Sequence, residues 1–431
     1  MSYVAAFFAA LTVAEAQPLP VSVVAEQLQG AIVENGYRRV GVLPQFIVRQ
    51  GADEKLGGSL GPQGDLFAEQ LGKQLLRTSQ GKYRVIDDRQ MRAAFAGMSL
   101  ADLGKRESLL AASKKVGGMD GLVVGTLTDL RQLPPGESRP ELDVEARLID
   151  VRDSSAVADA QTSRFLTLSD AAYMGESWEL RRWTPGGIVS VGLDPKPFAN
   201  TYLPFAPGPY NEENQYRAIL RNRPHPLVDS QCPYRMSIVV DGQQRPWVPV
   251  KDRFYVALEP GDTYQIRVES ASPRPAYLSL FVDGINILGK TREHPSASKF
   301  WHLAAGQKSQ FAGWTTGSGG QYKQEEFIIA PADSTVAAGQ GFGQQLGMIT
   351  AVYYTVGLDG LPEPPAEQPE SPLSMTLGAS MADTFGTGAG RESELTLEEK
   401  SGPERGIILA AMTIYYAPSA QVDAMKQAAG Q

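Results

Sequence analysis

The sequence predicts an α+β multidomain protein, with an N-terminal α/β layered domain on a mixed sheet followed by an antiparallel β-sandwich domain. Three observations carry that expectation. At 431 residues the chain exceeds the size at which one hydrophobic core stops growing. Apolar β-branched runs alternate with helical periodicity up to about residue 168, the pattern of helices packed on a sheet. From Tyr234 onward short alternating strands are punctuated by Asp241-Gly242, Pro260-Gly261-Asp262 and Asp283-Gly284, which are hairpin turn signals.

Element by element, Val24, Leu28 and Ile32 recur every fourth residue in a helix over 21–36, capped by Ser22 and closed by Asn35-Gly36. Arg38 to Arg49 reads as one buried strand. The glycine-rich loop from Gly57 to Gly64 leads to Asp65, read as the cap of a second helix with Phe67, Leu71 and Leu75 on one face. Tyr83–Asp88 reads as a strand, followed by helices at Arg89–Phe95 and Glu107–Val116. Gly121–Leu130 and Leu142–Asp150 are further strands, and Val157–Leu168 is the hairpin partner of the latter.

The domain organisation expected is a leader at 1–16, an α/β assembly-type domain at 20–168, a Pro- and aromatic-rich connector at 169–233, a β-sandwich at 234–418 and a tail at 419–431. The leader reading rests on an apolar stretch from Tyr3 to Val13 followed by Ala14-Glu15-Ala16, a small-residue cleavage pattern, although no Lys or Arg precedes it. Residues 357–405 are Pro-, Gly- and Glu-rich and read as an acidic surface excursion. The strand from Gly406 to Ala417 echoes Met348–Tyr354, and the two are expected in one sheet.

Forty basic against 48 acidic residues give a net charge of −8, which argues against a nucleic-acid footprint. No stretch has the length of a transmembrane helix. Cys232 is the single cysteine, so an intrachain disulfide and a Cys-based metal cluster are excluded; it reads as a partly buried thiol.

The N-terminal motifs resemble one family. Val42-Leu43-Pro44, Val85 to Arg89, Gly118 to Gly125 and Ala146 to Asp150, in that order, are similar to the strands of the curli-production assembly and transport family, of flagellar outer-membrane assembly proteins and of the N-terminal domain of the Tol–Pal translocation protein B. The likeness covers about residues 20–168 and implies a periplasmic α/β module for protein–protein assembly at the outer membrane. The pore-forming members carry a lipid-anchor Cys and long amphipathic membrane hairpins that this sequence lacks, so a pore is not implied. The C-terminal part, through Leu280–Leu288, Gly313-Trp314 and Gly341–Tyr354, is similar to a β-rich domain of uncharacterised bacterial envelope proteins.

Candidate chemistry is sparse. Gly57-Gly58-Ser59-Leu60-Gly61 matches a nucleophile elbow, but polar residues precede it and Pro62-Gln63-Gly64 separates it from the helix, so a structural loop is the expectation. Ser79–Lys82 and Ser296–Lys299 match S-x-x-K without companion motifs. Asp87 and Asp88, on opposite faces of a strand, are expected to salt-bridge Arg84 or Arg89 rather than to share a proton. His225 reads as a rigid surface turn between prolines, and His294 and His302 lack partners at metal-ligand spacing. Trp247, Trp301 and Trp314 are the candidate recognition surface.

No catalytic residue, metal or cofactor is expected. The reading is a non-enzymatic envelope interaction or assembly protein, exported to the periplasm, outer membrane or cell surface. Its expected partners are envelope proteins, self-association included. The alternatives are a carbohydrate- or peptidoglycan-binding module and, more remotely, an exported serine hydrolase using Ser59.

Overall fold

The computed structural model describes residues 20–50, 53–56, 62–130, 141–179, 181–184, 187–190, 225–230, 232–251, 253–340, 346–357, 385–397 and 405–430. The leader, the Ser59 loop, residues 191–224 of the expected connector and residues 358–384 and 398–404 of the acidic excursion lie outside them.

The N-terminal part begins with helix α1 (Pro20–Glu34). Pro20 opens it, where a missing amide costs nothing, so Ser22 lies inside the first turn rather than at the cap. Strands β1 (Arg39–Val42) and β2 (Ile47–Gln50) replace the single strand expected over 38–49. The break falls at Pro44, which cannot donate to a ladder. Then come β3 (Asp53–Leu56), α2 (Gln63–Ser79), β4 (Arg84–Val85), α3 (Asp88–Phe95), α4 (Leu100–Leu103) and α5 (Arg106–Lys115). The second expected strand shrinks to two residues because Asp87 leaves it to accept the Arg89 amide at 2.9 Å, capping α3.

Strands β5 (Gly121–Asp129), β6 (Glu141–Asp150) and β7 (Ala156–Phe165) complete a seven-stranded mixed sheet. β5 is central, parallel to β1 and β2 on one side and antiparallel to β6 on the other. Its residues alternate between two cores. Val123 and Leu127 meet α1 and α2 residues such as Leu28, Phe67 and Leu71, whereas Leu122 and Val124 meet Met91, Leu109 and Ala112. Helices therefore cover both faces of this sheet.

Helix α6 (Leu168–Tyr173) is wholly buried, and β8 (Trp178–Glu179) pairs with a strand of the C-terminal part, so the start of the expected connector is core. β9 (Arg181–Thr184) and β10 (Gly187–Ser190) form a hairpin. The remaining strands are β11 (Tyr234–Val240), β12 (Gln243–Gln244), β13 (Trp247–Val250), β14 (Arg253–Ala257) and β15 (Thr263–Ser270). They continue with β16 (Ala276–Val282), β17 (Ile285–Asn286), β18 (Trp301–Leu303), β19 (Lys308–Phe311) and β20 (Gly313–Ser318). Last come β21 (Gln321–Pro331), β22 (Met348–Val356), β23 (Phe385–Thr396) and β24 (Arg405–Ala417), before a closing helix Ser419–Ala428.

Among the described residues these form a seven-stranded sheet, running β12-β11-β15-β21-β20 with β19 and β23, and an eight-stranded sheet, running β13-β14-β24-β22-β16-β17 with β8 and β18. Ile238, Ile266 and Phe327 of the first and Val256, Leu280 and Ile414 of the second enter one apolar cluster, and Tyr234 stacks on Tyr353 with ring centroids 4.2 Å apart. β22 and β24, the echoing segments, lie in one sheet as expected, and there they are antiparallel neighbours. The second sheet is not purely antiparallel, since β14 runs parallel to β24. Within the expected acidic excursion, β23 pairs along nearly all of β21, so that part is a strand of the core sheet. The same cluster takes in residues of both the α/β part and the β part, so the two share one apolar core.

Candidate functional site

Where the α/β part meets the β part, polar side chains from five segments converge. Thr167-Leu-Ser-Asp170 is a capping box for α6, with the Thr167 amide donating to Asp170 Oδ2 at 2.8 Å and the Thr167 hydroxyl donating to it at 2.7 Å. The other carboxylate oxygen of Asp170 accepts from Gln63 Nε2 at 2.9 Å and from the Arg164 guanidinium, and His294 Nε2 lies 3.2 Å from it. Asp170 is fully enclosed. Burial by itself would raise its pKa, but Arg164, His294 and the Thr167 amide prevail and hold it well below the usual carboxylate range.

Asp65 does not cap α2. It turns away to accept from Arg92 of α3 at 3.1 Å, while Arg92 also donates to Asp88 at 2.8 Å. Burial pushes the Asp65 carboxyl up to about 6 against the pull of Arg92 and Arg292. Arg292, from the β part, lies 3.2 Å from Glu69 of α2 and donates to the Gln340 carbonyl at 2.8 Å. Tyr173 sets its ring edge against His294, centroids 5.4 Å apart, and Pro62 closes over Gly284. This arrangement ties the α/β part to the β part.

A second polar cluster lies within the β part. Asp283 takes φ 52° and Gly284 φ 75° in the tight turn between β16 and β17. The Asp283 carboxylate accepts from the amides of Gly347 at 2.7 Å, Met348 at 3.1 Å and Thr387 at 2.8 Å, and from the Tyr416 hydroxyl at 2.8 Å. Burial pushes its pKa up to about 6, with the Thr387 amide and the Tyr416 hydroxyl pulling the other way. Thr387 links on to Tyr264 at 2.8 Å.

The residues singled out in the sequence are scattered. Trp314 is wholly buried, its indole N–H donating to the Gly388 carbonyl at 2.9 Å, so it is removed from the recognition surface. Trp247 and Trp301 are half-buried, but β13 is an edge strand and β18 lies beyond β16 at the opposite edge of the same sheet, so the three tryptophans do not form one continuous surface. Asp88 pairs with Arg92, one helical turn away, rather than with Arg84 or Arg89.

His225 forms a turn, yet its ring packs on Phe254 at 4.4 Å, and burial pushes its pKa down to about 4; the expected surface residue is part of an apolar contact. His294 Nδ1 lies 2.7 Å from Ser296 Oγ at the cap of a short turn. His302 is exposed beside Tyr277. Cys232 is fully buried rather than partly so. Of the junction, the T-x-x-D capping signal and the local pairs Arg164–Asp170 and Asp88–Arg92 were open to sequence reasoning; Asp65–Arg92, Glu69–Arg292 and Asp170–His294 bridge positions far apart in the chain.

Among the described residues, no helix is long and apolar enough to cross a membrane, and no three His, Cys, Asp or Glu side chains are grouped to hold a metal. No family model and no curated protein matches the chain. Among solved structures it is similar to the C-terminal domain of LpoB from Salmonella enterica, with TM-score 0.24 and 13% identity over 33% of this chain and 96% of that one. It is likewise similar to LpoB from E. coli, with TM-score 0.24 and 13% identity over 38% of this chain and 78% of that one. A third is lipoprotein GNA1162 from Neisseria meningitidis, with TM-score 0.20 and 18% identity over 29% of this chain and 81% of that one. Scores this low carry no argument about what this chain does.

Proposed function

We propose that the chain is a non-catalytic assembly protein of the bacterial envelope, working through protein contacts made by a two-part body. One observation carries this reading: the side chains with chemical potential that the fold gathers at the junction bond one another, and two of the pairs, Arg292 with Glu69 and His294 with Asp170, join the β part to the α/β part. The sequence adds the leader pattern at residues 1–16 and the likeness of residues 20–168 to the curli-type assembly module. Export places the protein in the periplasm or at the outer membrane, and its partners are envelope proteins.

The test is affinity capture with the full chain from envelope extracts, alongside fractionation and N-terminal sequencing of the native protein. Specific envelope proteins retained at physiological salt, and a mature chain starting near Gln17, support the proposal. A cytoplasmic location, or binding to purified peptidoglycan with no protein retained, overturns it.

A further inference from the structure

Helix α2 has two unlike ends. Its first turns are held at the junction, where Glu69 meets Arg292 and Pro62 lies over Gly284. Its 17 residues then lead about 25 Å away from that contact, to the opposite end of the α/β part. There the last turns of α1, α2 and α5 meet the starts of β1 and β4. The Tyr83 hydroxyl donates to the Leu75 carbonyl at 3.0 Å, and Arg39 donates to the Val116 and Gly117 carbonyls at 2.7 and 2.9 Å.

Three short segments bring cations to this end: Arg38 and Arg39, Lys82 and Arg84, and Lys114 and Lys115. All but Arg39 are exposed. Among the described residues, none of these six side chains has a carboxylate within ion-pair distance. Asp120 accepts from the backbone amides of Arg38 and Arg39 instead, and Asp150 is matched by Arg152. With Glu34 and Asp153 added, four carboxylates stand against seven cations, on a chain whose net charge is −8. Arg39 and Arg84 are register neighbours on parallel strands, where like charges side by side repel.

Apolar exposure falls at the same end. Among the described residues four large apolar side chains are exposed, and two of them stand here: Leu76 in the last turn of α2, 59% exposed, and Val33 in the last turn of α1, 40% exposed. A lone anion has no use for exposed aliphatic side chains. The boundary of an anionic bilayer uses both, because headgroup phosphates attract the cations and the acyl layer takes up the aliphatic groups.

We propose that this end of the α/β part docks on an anionic phospholipid bilayer, with Lys82 and Arg84 toward headgroup phosphates, Leu76 entering the boundary layer, and the β part directed away from the membrane. The contact is peripheral, made by side chains from several segments. It stands apart from the assembly reading, since vesicle binding and capture of envelope proteins succeed or fail separately.

Co-sedimentation of the full chain with vesicles tests it, comparing phosphatidylcholine alone with phosphatidylcholine containing one third phosphatidylglycerol. The apolar residues 3–13 are common to every form, so differences between forms report the basic end. Binding is expected to require phosphatidylglycerol and to be lost in about 0.5 M salt. Lys82→Gln with Arg84→Gln is expected to weaken it roughly tenfold or more, and Leu76→Asp to weaken it severalfold. Arg245→Gln with Arg391→Gln, exposed cations of the β part, is expected to leave it unchanged. Equal binding to both vesicles, or equal loss in the two double variants, overturns the proposal. So does displacement by millimolar inorganic phosphate at constant ionic strength, which would mark a small-anion site. Absence of vesicle binding, with an acidic protein retained by the parent and lost by the Lys82–Arg84 double variant, overturns it in favour of a protein partner.

Discussion

Asp283 shows how one residue can hold several segments together. Its carboxylate oxygens face only donors: three backbone amides and a tyrosine hydroxyl. Asp283→Asn removes the buried charge, but the new amide must point at one of those donors. A buried unsatisfied pair costs about 1–3 kcal/mol, so the variant is expected to be less stable by that order in urea or guanidinium unfolding; an Asn variant as stable as the parent would sink this account. Gly125 is a residue whose reason the sequence conceals. A Cβ there would lie 2.2 Å from the Phe46 ring, so β5 carries glycine to admit that ring.

At the scale of elements, β23 is the instructive case. Its glycines and glutamates read as an excursion, because composition treats glycine as freedom. In the fold, Gly386 and Gly388 let the segment Ala330–Thr335 approach closely, and Thr387 between them points into the Tyr264–Tyr416 cluster. Valine at 388 would press Ala330 Cβ, the Ser334 carbonyl and Ile328 Cγ2, whose distances from an added Cβ are 3.0, 3.3 and 3.4 Å. Overpacking of this kind costs about 1–3 kcal/mol, so Gly388→Val is expected to lower the unfolding midpoint in a thermal melt. The broken first strand is the converse case: Pro44 was visible, and its missing amide was sufficient ground to split the run.

For the whole molecule, two enclosed carboxylates, Asp65 and Asp283, are each pushed up to about 6. Between about pH 4 and 6 these two carboxyls keep protons that the unfolded chain has lost, against the single buried His225, which is pushed down to about 4 and acts the other way, so stability falls as pH rises through that interval. Asp170 and Asp150 act oppositely. Both are held low, Asp150 at about 2 chiefly by Arg152, and their contribution is lost as pH drops below their ordinary range. Thermal melts across pH 3 to 8 are expected to show the highest midpoint in mild acid; a midpoint that climbs steadily from pH 4 to 7 contradicts this. The junction itself is tested by Gly284→Ala. At φ 75°, with Pro62 Cγ 2.7 Å from an added Cβ, the change strains the turn and presses α2 away. A loss of about 1–3 kcal/mol is expected on denaturant unfolding.

The sequence by itself determined the α+β class, most of the helices and strands of residues 20–168, the Asp-Gly turns and the placing of β22 and β24 in one sheet. These follow from local periodicity and from backbone preferences that a few neighbouring residues express. Only the tertiary structure decided that Asp65 leaves its cap for Arg92, that Trp314 is enclosed, that β23 is a core strand and that Asp170 meets His294. Such contacts join positions tens to more than a hundred residues apart. Burial and charge pairing at that separation are set by which surfaces meet, and no short window of sequence contains both sides.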